Sequence, residues 1–220
     1  MLNPLRGVDS LAKEVERLRS DPEVRSMVDQ RITEFQGVRK QDSRVWFIEL
    51  IYCLLTAYSS AVSGQLCVDA LCDCGVLLDG SVEEVEETLR CQGHRFAGRR
   101  AEYIVEARRL STSLKEVIEG FEDTKEARRW LVYNVKGLGY KEASHFLRNV
   151  GFLDVAIIDR HILSNMREHG VIGDDRRKGL TKRRYLEYER ILEKVAEKVG
   201  MSLGEMDLYL WYRKTGKVLK

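Results

Sequence analysis

Apolar residues recur along the chain at the spacing of α-helices, and the strict alternation typical of β-strands is nearly absent. One apolar stripe consists of Ile191, Leu192, Val195 and Val199, and another consists of Ala143, Phe146, Leu147 and Val150. Residues three and four apart share a helix face, so each stripe predicts one buried face of a helix. The pattern predicts an all-α protein with about ten helices joined by short loops.

Polar residues mark the predicted helix starts, and glycines mark the ends. A Ser or Asp followed three residues later by Glu predicts a capping box, in which each side chain accepts a hydrogen bond from the other residue's backbone N–H. Pairs with this spacing include Ser81 with Glu84, Ser113 with Glu116, Asp123 with Glu126, and Ser202 with Glu205. Glycine tolerates the left-handed conformation that often ends a helix, which predicts ends at Gly151, Gly170, Gly200 and Gly216.

The composition is that of a globular chain. With 220 residues, of which 44% are hydrophobic and 33% charged, it is large enough for one domain or two small lobes. The longest apolar run, residues 45–58, is interrupted by Glu49 and is shorter than the roughly 20 residues that cross a bilayer. The N-terminal segment lacks the apolar stretch of a secretion signal, so the expected compartment is the cytoplasm, with the protein on the nucleoid when it acts on DNA.

The five cysteines all precede residue 92, and their odd number argues against structural disulfides. Cys72 and Cys74 are separated by one residue, which is not the spacing of a zinc knuckle, and no second ligand pair follows. We expect buried free thiols and no metal cluster.

A net charge of +2 is too small to indicate a polyanionic partner by itself, so an argument for nucleic acid must come from local clusters of basic residues. The clusters are Arg95 with Arg99 and Arg100, Arg108 with Arg109, Arg128 with Arg129, and six basic residues within 176–184.

Two glycines separate two predicted helices in residues 123–166. A helix over 124–135 is followed by Lys136-Gly-Leu-Gly-Tyr140, and a second helix is predicted over 141–150. The free N–H groups of such a hairpin, with the positive end of the second helix, can hold one phosphate. Gly137 and Gly139 therefore predict a site that binds the backbone of DNA or RNA without regard to base sequence. The alternative is a plain corner between two helices.

Lys141 and Asp159 are the candidate catalytic pair. Lys141 lies opposite the apolar face of its helix, at the positive helix end, where the neutral amine of a nucleophile is favoured. The chain after this helix is long enough to return, because the helix advances about 15 Å and the next eight residues span up to roughly 26 Å. An amine and a carboxylate beside a phosphate site suit attack on a sugar carbon through a Schiff base. The alternatives are a solvated lysine and a helix N-cap.

The segment Lys136-Gly-Leu-Gly-Tyr-Lys141-Glu-Ala-Ser-His-Phe-Leu-Arg-Asn-Val-Gly151, with Val155-Ala-Ile-Ile-Asp-Arg-His-Ile-Leu163, resembles the helix-hairpin-helix DNA glycosylase superfamily. Within it, the sequence is most similar to the type-2 8-oxoguanine DNA glycosylase/lyases. The resemblance implies that Lys141 is the Schiff-base nucleophile, that Asp159 is the catalytic carboxylate and that His161 contacts a phosphate. It also implies two helical lobes with a cleft between them. One lobe is residues 44–152, with the hairpin motif at about 124–151, and the other is residues 1–43 with 153–220.

The resemblance extends to residues outside the hairpin. Tyr58 occupies the position of the polar wedge that relatives insert into the gap left by the extruded nucleotide. Trp211 and Phe96 correspond to an aromatic pair that sandwiches the flipped base, for which the alternative is two core aromatics. Lys220 corresponds to a terminal lysine that reaches the base pocket, where its carboxylate could accept the N7 hydrogen of 8-oxoguanine; the alternative is a frayed tail.

The sequence therefore predicts a bifunctional DNA N-glycosylase and abasic-site lyase of base-excision repair, which acts on double-stranded DNA that contains 8-oxoguanine or an abasic site. We expect no membrane partner, a monomer, no required cofactor and no iron–sulfur cluster, because the C-terminal cysteines of the cluster-bearing relatives are missing. The alternatives are a glycosylase of the same fold with another base specificity and a non-catalytic helix-hairpin-helix module.

Overall fold

The computed structural model describes residues 4–174 and 179–220, and every regular element in these ranges is helical. The helices of the first half are α1 (Pro4–Arg19), α2 (Pro22–Arg39), α3 (Ser43–Thr56), α4 (Ala61–Asp73), α5 (Val76–Asp79), α6 (Val82–Cys91) and α7 (Ala97–Ala107). A 3-10 turn (Arg108–Leu110) precedes α8 (Leu114–Glu119), α9 (Thr124–Asn134), α10 (Tyr140–Asn149), α11 (Arg160–Glu168), α12 (Lys182–Val199) and α13 (Leu203–Thr215). The predicted all-α fold is confirmed.

The chain forms two compact units. The terminal unit consists of Met1–Phe35 with Gly151–Lys220, and the central unit consists of Gln36–Val150. In the terminal unit, α1 packs on α12 and α13, and one apolar cluster joins Val28, Phe35, Tyr209 and Val218. The domain bounds given by the resemblance and the cleft between the lobes stay predictions.

The core of the central unit forms around α3. This helix contains most of the apolar run at 45–58, and it is buried on nearly all faces. It packs against α4, α8 and α10, and the ring of Trp46 meets that of Phe146 edge to face at 6.2 Å. A helix with apolar residues on all sides is buried in a protein core or in a membrane, and α3 is buried in the core of the central unit. No helix of the described residues is long and apolar enough to cross a membrane.

The described residues contain thirteen α-helices, more than the sequence predicts, because short helices lack a periodic pattern. Helix α5 has only four residues and is one of these short helices. Its carbonyl groups are hydrogen-bonded by a side chain that is distant in sequence. The guanidinium of Arg108 donates to the carbonyl oxygens of Val76, Leu77 and Gly80 at 2.5 to 2.8 Å.

The predicted helix caps are only partly confirmed. Ser81 and Glu84 form the capping box, and Ser202 accepts from the N–H of Glu205 at 3.2 Å. Asp123 caps α9 through the N–H of Lys125, while Glu126 pairs with Arg129 instead of completing a box. The box at Ser113 is wrong, because Ser113 makes no capping bond and Glu116 accepts from the hydroxyl of Ser43 at 2.7 Å. The glycine ends are confirmed by positive φ at Gly151, Gly170, Gly200 and Gly216.

All five cysteines are free thiols, as expected, but the prediction that Cys72 and Cys74 are buried is wrong. Helix α4 turns Gly64, Cys67 and Leu71 inward, which leaves Cys72 on its exposed side. Within the two described ranges, no three His, Cys, Asp or Glu side chains are grouped as metal ligands would be.

Candidate active site

The glycine hairpin joins α9 to α10, each placed within one residue of its predicted bounds. Gly137 has φ +84°, a left-handed conformation that only glycine adopts without strain. Gly139 has φ −94° and is the N-cap of α10, and its backbone N–H donates to the carboxylate of Glu142 at 3.3 Å. The hairpin predicted from the two glycines is therefore present.

Helix α7 supports this hairpin from behind. A Cβ on Gly137 would lie 2.4 Å from the ring of Tyr103 and 2.9 Å from the guanidinium of Arg100, so the hairpin packs directly on α7. The ammonium of Lys136 lies 2.6 Å from the carboxylate of Glu106 on the same helix, and this pair raises the pKa of Lys136. The ion pair with Glu106 therefore favours the protonated form of Lys136.

Lys141 lies on the first turn of α10, where the helix leaves the hairpin. The rest of α10 is buried from Ala143 onward, including the predicted face with Phe146 and Leu147. The side chain of Lys141 is 26% exposed, and its ammonium lies 3.8 Å from a carboxylate oxygen of Glu142. The side chain of Lys141 therefore lies outside the core, as predicted, and is partly exposed where α10 leaves the hairpin.

Asp159 is the N-cap of α11 in the terminal unit. Its Oδ1 accepts from the backbone N–H groups of His161 and Ile162, both at 2.8 Å. Its Oδ2 makes no hydrogen bond to any described residue, so one oxygen fixes the carboxylate while the other is available for chemistry. The sequence presents helix capping and catalysis as alternative roles for Asp159. Because only Oδ1 caps the helix, the same side chain can have both roles.

His161 and Trp211 lie together beside Asp159. The two rings meet edge to face at 5.9 Å, and Nε2 of His161 accepts from the guanidinium of Arg160 at 3.2 Å. Trp211 lies on α13 and is partly exposed, as a residue that stacks on a base must be. Three predicted site residues are thus brought together in the terminal unit.

Tyr58 and Phe96 form a pair of exposed aromatic residues on the central unit. Tyr58 is 88% exposed, and it has φ +64°, which is unusual for any residue other than glycine. Its ring meets that of Phe96 edge to face at 6.0 Å, and the guanidinium of Arg95 lies over Phe96. This placement suits the wedge role of Tyr58 and associates Phe96 with it.

His94, which the sequence did not indicate, fixes this aromatic pair. Its Nδ1 accepts from the backbone N–H of Phe96 at 3.3 Å, so Nε2 carries the proton and donates to the carbonyl of Leu55 at 3.1 Å. Burial lowers the pKa of His94, which favours this neutral form. No local sequence signal identifies such a contact, because His94 and Leu55 are far apart along the chain.

The predicted basic clusters contribute fewer surface charges than their number indicates. Arg100 and Arg128 are buried, and Arg108 caps α5, so none of these three is available to a phosphate in the way the clusters predicted. Arg95, Arg99 and Arg129 are exposed. The cluster within 176–184 falls partly on residues 175–178, which lie outside the described residues.

The C-terminal segment is attached to the terminal unit through Val218. This side chain is buried against Phe35 and Tyr209, and its carbonyl accepts from the guanidinium of Arg31 at 3.3 Å. Lys220, two residues further on, is partly buried. The C-terminal segment is therefore packed on the terminal unit and is not a frayed tail. The role of Lys220 in a base pocket stays a prediction.

Glu142 is a second residue of the site that the sequence reasoning missed. Its Oε2 accepts from the N–H of Gly139 at 3.3 Å, and its Oε1 lies near the ammonium of Lys141. A signal was present, since Glu142 stands three residues after the helix N-cap. The usual capping-box pattern has a side chain with an oxygen at the N-cap, so a glycine N-cap does not match it.

An all-helical chain with a glycine hairpin, a lysine on the turn that follows it and an aspartate that caps another helix has the features of a helix-hairpin-helix DNA glycosylase. A model of the 8-oxoguanine DNA glycosylase family matches residues 28–201. The chain belongs to this family.

Curated relatives and solved structures are similar over nearly the whole chain. The 8-oxoguanine DNA glycosylase/AP lyase of Methanocaldococcus jannaschii is 49% identical over 210 residues, which are 96% of this chain and 99% of that protein. Its crystal structure with a DNA 15-mer containing 8-oxoguanine has a TM-score of 0.89 at 48% identity and covers 96% of this chain and 99% of that chain. The structure of the 8-oxoguanine DNA glycosylase of Thermotoga maritima has a TM-score of 0.85 at 45% identity and covers 97% of this chain and 100% of that chain.

Proposed function

We propose that this protein removes 8-oxoguanine from double-stranded DNA and then cleaves the strand at the resulting abasic site. Its relatives carry the name 8-oxoguanine DNA glycosylase/AP lyase, and one of them is crystallised with DNA that contains 8-oxoguanine. The observation that carries the proposal is the partly exposed Lys141 on the helix turn that leaves the glycine hairpin. Because the substrate is DNA, we place the enzyme in the cytoplasm, on the nucleoid.

Lys141 supplies the nucleophile. Its neutral amine attacks C1′ of the damaged nucleotide, the bond from C1′ to the base breaks, and the electron pair of that bond leaves with the base. The amine loses its proton and the sugar ring opens, which gives a Schiff base between Nζ and C1′. Loss of a C2′ proton then expels the 3′ phosphate by β-elimination, and water releases the lysine.

Asp159 supplies negative charge where the sugar becomes positive. The transition state has oxocarbenium character, which a fixed carboxylate stabilises more than it stabilises the ground state. Capping through Oδ1 holds the carboxylate still, so Oδ2 can act without the cost of ordering a mobile side chain. The wedge at Tyr58 and the contacts of Trp211, Phe96 and Lys220 with the flipped base complete the proposal.

Borohydride trapping tests the nucleophile. Reduction of a Schiff base links enzyme and DNA permanently, so wild type should form a covalent complex with a duplex that contains 8-oxoguanine. Lys141→Gln should form none while it still binds the duplex, because the amide preserves volume and removes the nucleophile.

Lys136→Gln is the matched control, since Lys136 belongs to the same hairpin but pairs with Glu106. It should trap as wild type does. Undiminished trapping by Lys141→Gln contradicts the assignment of Lys141.

A further inference from the structure

Glu142 occupies an unusual place for an acidic residue, since it lies beside a site that binds phosphate. It is the third residue of α10, and its side chain is only 17% exposed. One carboxylate oxygen accepts from the N–H of Gly139 at 3.3 Å, and the other lies 3.8 Å from Nζ of Lys141. The two oxygens of this carboxylate thus join the hairpin loop to the lysine that follows it.

Glu142 and a buried cation, Arg100 of α7, both lie against the hairpin. Arg100 is 6% exposed, and its guanidinium donates to the carbonyl of Ala57 at 3.3 Å. Burial lowers the pKa of Arg100, and attraction to Glu142 opposes that effect. A cation removed from water is stable only near opposite charge. The carboxylate of Glu142 is therefore attracted by Arg100 as well as by Lys141.

The other charged groups near α10 have partners other than Lys141. Arg128 of α9 donates to Ser144 and lies over the ring of Tyr140, and Glu49 of α3 meets Asn149 at the other end of α10. Lys136 in the hairpin pairs with Glu106. Among the described residues, Glu142 is the only carboxylate found in an ion pair with Lys141.

We propose that Glu142 is a positioning residue that holds the Lys141 side chain against the hairpin, so that Nζ is in place when DNA binds. This inference rests on the proposed role of Lys141. A lysine side chain has four rotatable bonds, and a nucleophile reacts fast only when it is held near the attack geometry. Since the same carboxylate binds Gly139, the position of Lys141 is tied to the loop that receives the phosphate.

Glu142→Gln separates this role from simple helix capping. The amide oxygen can still accept from the N–H of Gly139, so the cap and the hairpin persist, whereas the charge that attracts Lys141 is lost. The variant should therefore bind undamaged duplex within about twofold of wild type. At saturating lesion DNA, its single-turnover rate of borohydride trapping should fall about tenfold, because displacement of a reacting group costs rate rather than affinity.

Two further variants complete the test. Glu126→Gln is the matched control, because Glu126 is a glutamate in the first turn of α9 in the same motif and pairs with Arg129. It should leave the trapping rate unchanged. Glu142→Asp retains the charge on a shorter side chain and should recover part of the rate lost in Glu142→Gln. Thermal melting of each variant establishes that all are folded.

The proposal is overturned if Glu142→Gln traps within twofold of the wild-type rate or if Glu126→Gln slows trapping equally. A rate above wild type also overturns it, because the carboxylate would then restrain the nucleophile rather than place it. Failure of the proposed function gives a different result. Wild type would then form no covalent complex with lesion DNA, or Lys141→Gln would form as much of it as wild type does.

Discussion

At the scale of single residues, Asp159 shows how a structural role can support a chemical one. Its two hydrogen bonds to the start of α11 use the same oxygen, and they orient the carboxylate without occupying its second oxygen. A side chain on a loop without such bonds would have to be ordered during the reaction, at a cost in conformational entropy.

Substitutions at Asp159 should separate the two roles. Asparagine caps helices about as well as aspartate, so Asp159→Asn should melt near wild type while excision of 8-oxoguanine slows about 100-fold. Asp159→Ala should lose both the activity and roughly 1 kcal/mol of the free energy of unfolding. Single-turnover excision and thermal melting measure these effects.

Asp123, which caps α9, provides the control. Asp123→Ala should lower stability without lowering the excision rate of the folded enzyme. If Asp159→Asn lost stability alone, Asp159 would be a cap and nothing more.

The places of the candidate residues on their helices could be predicted from the sequence more reliably than the burial of charged side chains. Lys141 on a first turn and Asp159 at an N-cap follow from the motif and from helix periodicity. The burial of Arg100 and Arg128 does not follow, since an arginine counts as a surface charge until tertiary contacts show otherwise. Glu142 was within reach, because its spacing from Gly139 is the one that the capping rule uses.

At the scale of elements, the hairpin is a supported structure rather than a flexible turn. Its first glycine packs on Tyr103, and its lysine pairs with Glu106, so α7 holds its shape from one side. The predicted α9 and α10 were nearly correct because periodic stripes and glycines mark them. Helix α5 was not predicted, because its stability depends on Arg108, about thirty residues away, and no local pattern encodes that contact.

Gly139→Val tests the hairpin as a phosphate site. The backbone of Gly139 is in an ordinary conformation, and an added Cβ meets only the end of the Glu142 side chain at 3.1 Å, so the variant should fold. Its branched side chain should block close approach of a phosphate and weaken binding to undamaged and lesion duplexes by the same factor. Equilibrium titrations of both duplexes measure this.

Gly37→Val in α2 is the control, because nothing lies within 4 Å of a Cβ at that position. It should bind both duplexes as wild type does. If Gly139→Val lost affinity for the lesion duplex alone, the proposal that the hairpin binds the DNA backbone would be contradicted.

At the scale of the whole molecule, the candidate residues are divided between the two units. Lys141 belongs to the central unit, whereas Asp159, His161, Trp211 and Lys220 belong to the terminal unit, which combines both ends of the sequence. Helical periodicity predicts helices but not which helices pack together, so the two-lobe arrangement came from family resemblance alone. The contacts of Val218 with Phe35 and Arg31 show how the two ends are joined.

Removal of Lys220 tests whether this segment distinguishes the lesion from guanine. 8-oxoguanine carries a hydrogen at N7 where guanine carries a lone pair, so an acceptor near residue 220 would favour the lesion. Deletion of Lys220 keeps the buried Val218, and it should lower excision of 8-oxoguanine at least about tenfold while cleavage of a preformed abasic site stays within about twofold. Lys217→Ala, in the same segment, should change neither rate. Equal losses on both substrates contradict the role of Lys220.

The position of the covalent link in the trapped complex tests the central claim most directly. Wild-type protein is reduced with borohydride on a duplex that contains 8-oxoguanine, the complex is digested with protease and nuclease, and mass spectrometry locates the modified residue. The account predicts a single adduct on Nζ of Lys141. An adduct on Lys136 or on another amine, with Lys141 unmodified, would contradict it.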